Sequence, residues 1–201
     1  EIFICGESSA ANALAQRLKT AHVAFRRAFS RDGRIAQAGG AVVFVTDGRS
    51  ATQRASESGL SNTVVIDLAL DYTQAKRLAM ATSAQCTEAA ANEATALLQA
   101  CRVQVSRFAD VPGLAVMRTV CMLANEAADA VNQGVCSTSA ADSAMLLGVN
   151  YPKGPLIWAD QIGLRAVRDV LVNLGASYGE DRYRISPLIS QHVFAGSSTY
   201  P

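Results

Sequence analysis

The stretch that decides the fold opens as Asp110-Val111-Pro112-Gly113-Leu114 and continues through Leu147-Gly148-Val149-Asn150-Tyr151-Pro152-Lys153-Gly154-Pro155 to Ala159-Asp160-Gln161-Ile162-Gly163. Pro112-Gly113 is a turn and predicts the start of a long helix. Leu114, Met117, Cys121, Ala124 and Ala128 then recur at steps of three and four, which places them on one helical stripe. Gly134 ends that helix, and Ser139-Ala-Ala-Asp142 reads as a capping-box start for the next, with aspartate in place of glutamate. Two prolines and a glycine within Asn150–Pro155 exclude a continuous helix there and make the segment a rigid connector. Short helices follow at Leu156–Ile162, closed by Gly163, and at Leu164–Leu174, closed by Gly175. Ser186-Pro187 reads as the N-cap and first residue of a final helix reaching Ala195.

Upstream the pattern changes. All five prolines lie at Pro112 or beyond, and the earlier residues alternate strand and helix signals. Apolar runs at Glu1–Cys5, His22–Phe25, Ala41–Thr46, Thr63–Leu68, Lys76–Thr82 and Val103–Phe108 read as strands. Helical spacing appears at Ala10–Leu18, Ser50–Ser58 and Glu88–Cys101, the last capped by Thr87. This alternation argues for βαβ units and a parallel sheet. The chain is therefore expected to be α/β over 1–109 and all-α over 110–201.

Composition narrows the function classes. A net charge of +1 gives no electrostatic case for nucleic acid or for an anionic membrane. No apolar run approaches the ~18 residues that span a bilayer, and no leader precedes the first strand, so a cytoplasmic location is expected. The five cysteines show no CxxC spacing and sit in apolar patterns, as buried reduced thiols do. With His22 and His192 far from any of them, no metal site is expected.

The strand-turn-helix at Ile2–Leu18 is where a dinucleotide would lie. The G-x-G-x-x-G turn has Gly6 at its first position but Ser8 and Ala11 at the second and third, and the residues after the second strand are Arg26-Arg27 rather than an acid for a ribose diol. Gly6, Ser8 and Ala11 are thus a weak candidate for cofactor binding and a better one for a structural remnant of the fold.

The motifs Asp110-x-Pro112-Gly113, Asn125-Glu126, Asp142-x-Ala144-Met145, Leu147-Gly148-x-Asn150-Tyr151-Pro152-x-Gly154-Pro155, Ala159-Asp160-x-Ile162-Gly163 and Asp181-Arg-Tyr-Arg-x-Ser186-Pro187-Leu188 resemble the C-terminal helical domain of the 3-hydroxyacyl-CoA dehydrogenases. Residues 1–109 resemble the reduced Rossmann region that long bacterial members carry after a complete catalytic half. The resemblance implies a parent enzyme that oxidises 3-hydroxyacyl-CoA to 3-oxoacyl-CoA with NAD, as in fatty-acid β-oxidation and in butyrate and aromatic-ring degradation. It further implies an N-terminal catalytic half as partner, acyl-CoA as substrate, and a homodimer through the helical domain.

The departures matter as much. The family's catalytic histidine lies on a His-Phe-Phe-Asn-Pro segment before the strand matched by Leu78–Thr82. Here that place holds Asp67–Gln74, with no histidine between His22 and His192. Asp67 or Asp71 would need a strongly raised pKa to act as the base. The family's asparagine before the helix arginine is Met117, followed by Arg118, and methionine cannot orient a carbonyl through a hydrogen bond. No catalytic residue is therefore assigned. Arg118 and Lys153 remain weak candidates for substrate or interface contacts. The alternatives are a stand-alone, non-catalytic nucleotide- or acyl-CoA-binding module, including one that senses CoA esters, and a small enzyme with rearranged chemistry.

Overall fold

A computed structural model describes residues 1–200. The chain forms two compact units, one from Glu1 to Val116 and one from Met117 onward. The first contains β1 (Ile2–Cys5), α1 (Ser9–Thr20), β2 (Arg26–Ala28), β3 (Ala36–Ala38), β4 (Ala41–Val45), α2 (Ala51–Ser58), β5 (Thr63–Ile66), β6 (Arg77–Thr82), α3 (Glu88–Ala100) and β7 (Gln104–Arg107). The seven strands form one sheet in the order β2-β1-β3-β4-β5-β6-β7.

The βαβ reading holds for β1-α1-β2 and β4-α2-β5, whose strands pair in parallel. The sheet as a whole is mixed, because β3 runs antiparallel to both of its neighbours and β6 antiparallel to β5. The added strand is β3, joined to β4 by the two-residue turn Gly39-Gly40. Gly39 has φ +54°, and a Cβ there would collide with the Glu93 carboxylate, which accepts a hydrogen bond from Gly40 N at 2.8 Å. Only glycine fits such a turn. The second strand also differs from the expected His22–Phe25. His22 adopts φ +56°, and pairing begins only at Arg26.

Helices lie on both faces of the sheet. Alanines 10, 11, 13, 15, 90 and 94 let α1 and α3 approach one face closely, where they cover Ile4, Val43, Ile66 and Met80. On the other face Ala51 of α2 packs with Phe44, Val65 and Leu114. Ser8, Ser50 and Thr87 cap the three helices, each side-chain oxygen accepting from a backbone N–H three residues on.

The β4–α2 loop is held by charge. The Arg54 side chain lies over the Phe44 ring at 3.9 Å and donates to Asp47 Oδ2 at 2.6 Å, and Arg49 pairs with the same carboxylate at 2.5 Å. Burial raises the Asp47 pKa, but the Arg49 hydrogen bonds and the charges of Arg54 and Arg49 outweigh it and leave the carboxyl below its usual value. A depressed carboxyl contributes stability that is present above its unfolded pKa and lost as pH falls through the folded one. Thermal unfolding should thus show a midpoint that drops as pH falls below about 4, less steeply in Asp47→Asn than in the native chain. An equal slope in both would show that Asp47 contributes nothing to acid stability.

The second unit contains α4 (Val116–Asn132, from Met117), α5 (Thr138–Gly148), α6 (Pro155–Ile162), α7 (Leu164–Tyr178), a 3₁₀ turn (Asp181–Tyr183) and α8 (Pro187–Ala195). Three boundaries differ from the sequence reading. α4 begins not at Pro112-Gly113 but after Gly113 (φ +75°) and Leu114 (φ +50°), whose left-handed backbone delays the first turn. α5 is capped by Ser137, not Ser139. α7 runs through Gly175 and ends at Gly179 (φ +64°); Gly175 is instead a point of close approach, where an added Cβ would stand 3.7 Å from Tyr183 Cβ.

Candidate functional site

Around the β1–α1 turn, Gly6 has φ +70°, and the space where a Cβ would stand is open. Ser8 does not project into the turn: its Oγ accepts from Ala11 N at 3.3 Å. Ala11 is fully buried and allows the close helix–strand packing that the third position of the motif provides. In place of an acid, Arg27 reaches back from β2 and donates to Gly6 O at 3.0 Å and to Asn12 Oδ1 at 2.6 Å. Arg26 pairs with Glu1 at 3.2 Å. Asp32, the nearest acid downstream, is engaged by Arg34 and Ser30, whose hydrogen bonds hold its carboxyl well below the usual range. The turn keeps the backbone of a dinucleotide site and lacks its ribose acceptor, so it does not fit NAD in the usual mode.

The Asp67–Gln74 segment is fixed rather than poised. Asp67 is fully buried at the end of β5, and its carboxylate accepts from Leu68 N (2.8 Å), Ala115 N (3.0 Å) and Val116 N (2.8 Å). The carboxylate is thus turned toward backbone amides inside the fold and away from solvent. Asp71 is exposed, and the Thr73 hydroxyl and amide, at 2.6 and 2.7 Å, lower its pKa, the wrong direction for a base at neutral pH. Arg17 clamps the segment by donating to the carbonyls of Tyr72, Thr73, Ala75 and Cys101.

In the helical unit, Arg118 is caged by two tyrosines. Its guanidinium lies 4.6 Å from the Tyr178 ring centroid and 5.5 Å from that of Tyr183, and it donates to both hydroxyls. The two rings stack at 5.3 Å. Arg118 also lines a depression of about 260 Å³ with Thr119, Met122 and Leu123. Arg118→Ala is expected to cost about 2 kcal/mol of stability, and Arg118→Lys about half that, since lysine keeps charge and loses the flat stacking fork. Urea unfolding measures both; equal effects would deny the stacking role.

Lys153 lies on the connector and donates to Gln161, which makes it a local brace. Met117 is buried, with the Cys121 thiol 3.8 Å from its sulfur. Asn125 receives Ser186 N and donates to Arg184 O, both at 2.8 Å, locking the last turn to α4. Among the described residues no cluster of three histidine, cysteine or acidic side chains could hold a metal, and no helix is long and apolar enough to cross a membrane.

Sequence reasoning missed the roles of three aspartates. Asp110 caps α2 from a distance, accepting Ala51 N at 2.6 Å and Thr52 N at 2.8 Å. Asp142 does the same for α6 through Leu156 N at 2.8 Å and Ile157 N at 3.0 Å, and is not part of its own helix's capping box. Asp160 holds the C-terminal residues through the Thr199 amide and hydroxyl and Tyr200 N. Nothing within four residues of any of them signals these partners.

Residues 43–112 match the model of the 3-hydroxybutyryl-CoA dehydrogenase reduced Rossmann-fold domain, and residues 113–200 match that of the 3-hydroxyacyl-CoA dehydrogenase C-terminal domain. The chain belongs to the 3-hydroxyacyl-CoA dehydrogenase family. It is 37% identical over 155 residues to a 3-hydroxyadipyl-CoA dehydrogenase of Escherichia coli, covering 77% of this chain and 32% of that protein. A crystal structure of a 3-hydroxybutyryl-CoA dehydrogenase from Escherichia coli K12 superposes with a TM-score of 0.76 at 36% identity, over 83% of this chain and 34% of the other. The chain thus spans about a third of the length of these two relatives. An (S)-3-hydroxybutyryl-CoA dehydrogenase from Ralstonia eutropha, at 21% identity, shares the fold over 96% of this chain and 65% of its own, with a TM-score of 0.65.

In the Asp67–Gln74 segment, where the sequence reading looked for a base, the Asp67 carboxylate and the Arg17 guanidinium both bond to backbone groups.

Proposed function

We propose that this chain is the C-terminal half of an NAD-dependent 3-hydroxyacyl-CoA dehydrogenase acting in cytoplasmic fatty-acid β-oxidation, and that it serves as scaffold. In this reading it supplies the dimer interface and part of the acyl-CoA cleft, and an N-terminal half supplies the base and the NAD site. Oxidising a 3-hydroxyl to a 3-oxo group moves a hydride to NAD and the hydroxyl proton to a base. The observation that carries the reading is Asp67. In the place of the family's base segment stands a carboxylate that accepts three backbone N–H groups.

The helical unit supports the interface role. Leu147 is 88% exposed and Val149 55%, an apolar pair at the end of α5 that a dimer interface would cover. Sedimentation of the native chain should report a dimer, and Leu147→Asp should weaken it while leaving the circular dichroism of the folded chain unchanged, because the side chain packs on nothing in the core. A strictly monomeric chain that also fails to bind the N-terminal half would refute the scaffold reading.

A further inference from the structure

The disagreement between the β1–α1 turn and a nicotinamide dinucleotide points to a different ligand. Two adjoining depressions, of about 900 and 560 Å³, open at the carboxyl ends of β1 and β2, where ligands settle in open α/β sheets. They share Ala28, Phe29 and Ser30. The larger is completed by Gly6, Glu7, Asn12 and Arg27, and the smaller includes Arg31 and the Asp32–Arg34 pair.

Three observations define the chemistry. Phe29 is 82% exposed, with the Arg31 guanidinium 5.8 Å from its ring centroid, so an aromatic face stands in solvent beside a cation. Arg27 makes no ion pair with a carboxylate among the described residues; its contacts to Gly6 O and Asn12 Oδ1 engage two of five N–H donors and fix the fork in place. Gly6 leaves open space at the turn, and Ser8 is drawn away from it by its cap. A flat apolar platform with a preset guanidinium suits a planar base that carries a phosphate. An arginine where a ribose acid would stand repels no anion and accepts no diol proton, which favours a terminal phosphate over a free ribose.

We propose that these depressions bind a nucleoside bearing a terminal phosphate, with the base stacked on Phe29 and the phosphate held by Arg27, Arg31 lending a second positive charge. Three sources share this chemistry: the 3′-phosphorylated adenosine of coenzyme A, the 2′-phosphorylated adenosine of NADP, and a free nucleoside monophosphate. This inference stands apart from the scaffold role and can fail without it.

Isothermal titration of the chain with coenzyme A, dephospho-coenzyme A, adenosine monophosphate, NADP and NAD tests it. Coenzyme A, NADP or adenosine monophosphate should bind, and which is tightest identifies the source. NAD, which lacks a terminal phosphate, should bind about tenfold more weakly or worse, as should dephospho-coenzyme A relative to coenzyme A. Arg27→Gln and, independently, the exposed-site variant Phe29→Ala should each weaken binding about tenfold while thermal unfolding stays unchanged for Phe29→Ala. No saturable binding of coenzyme A, NADP or adenosine monophosphate below about 1 mM would overturn the proposal. So would affinities that ignore the terminal phosphate, or that both substitutions leave unchanged.

Discussion

Asp67→Ala is expected to destabilise the first unit by about 3 kcal/mol or more. The carboxylate is fully buried and accepts the amides of Leu68, Ala115 and Val116. Alanine strands those donors and leaves a void at the end of β5. Asp67→Asn keeps one accepting oxygen and turns an NH₂ group toward amide donors, so it should cost about 2 kcal/mol rather than be neutral. Urea unfolding followed by circular dichroism decides. A loss below about 0.5 kcal/mol for alanine would mean that water satisfies those amides and that the carboxylate is not spent on structure.

The second large effect lies in the helical unit. Gly154 faces Asp142 so closely that a Cβ would overlap the carboxyl carbon. Its backbone is not left-handed, with φ −65°, so the glycine is required by space and not by conformation. Gly154→Ala should push the Asp142 carboxylate off Leu156 N and Ile157 N, and off the Tyr200 hydroxyl that donates to it at 2.7 Å. We expect a loss of about 3 kcal/mol, a similar loss for Asp142→Ala, and a double substitution well short of the sum, since both break one contact. Strict additivity would show that the glycine acts elsewhere.

These two positions also show what was legible in the sequence. Thr87 caps a helix through a residue one turn away, and the sequence reading placed it, Gly134 and Ser186-Pro187 at helix ends. Asp142 acts on amides fourteen and fifteen residues on, and Asp67 on amides forty-eight and forty-nine residues on. No local pattern encodes such a partner, so Asp142 read as part of a capping box. β3 carried a usable signal, since Gly39-Gly40 before a β-branched run marks a hairpin, but its strand is only Ala36–Ala38 and holds no β-branched residue. At the candidate site, the missing histidine and the Arg26-Arg27 pair were plain in the sequence. That Arg27 folds back over Gly6, and that Ser8 turns away from the turn, required coordinates. The family assignment rested on turns such as Tyr151-Pro152-Lys153-Gly154-Pro155, where proline and glycine fix the backbone so narrowly that the sequence itself carries the geometry.

The most direct measurement for the scaffold role is NADH formation by the purified chain given saturating 3-hydroxyacyl-CoA and NAD, across neutral to alkaline pH. With Asp67 buried against amides and the Asp71 pKa lowered by Thr73, the predicted rate is indistinguishable from that without protein. Turnover that scales with chain concentration and disappears in Asp71→Asn would contradict it.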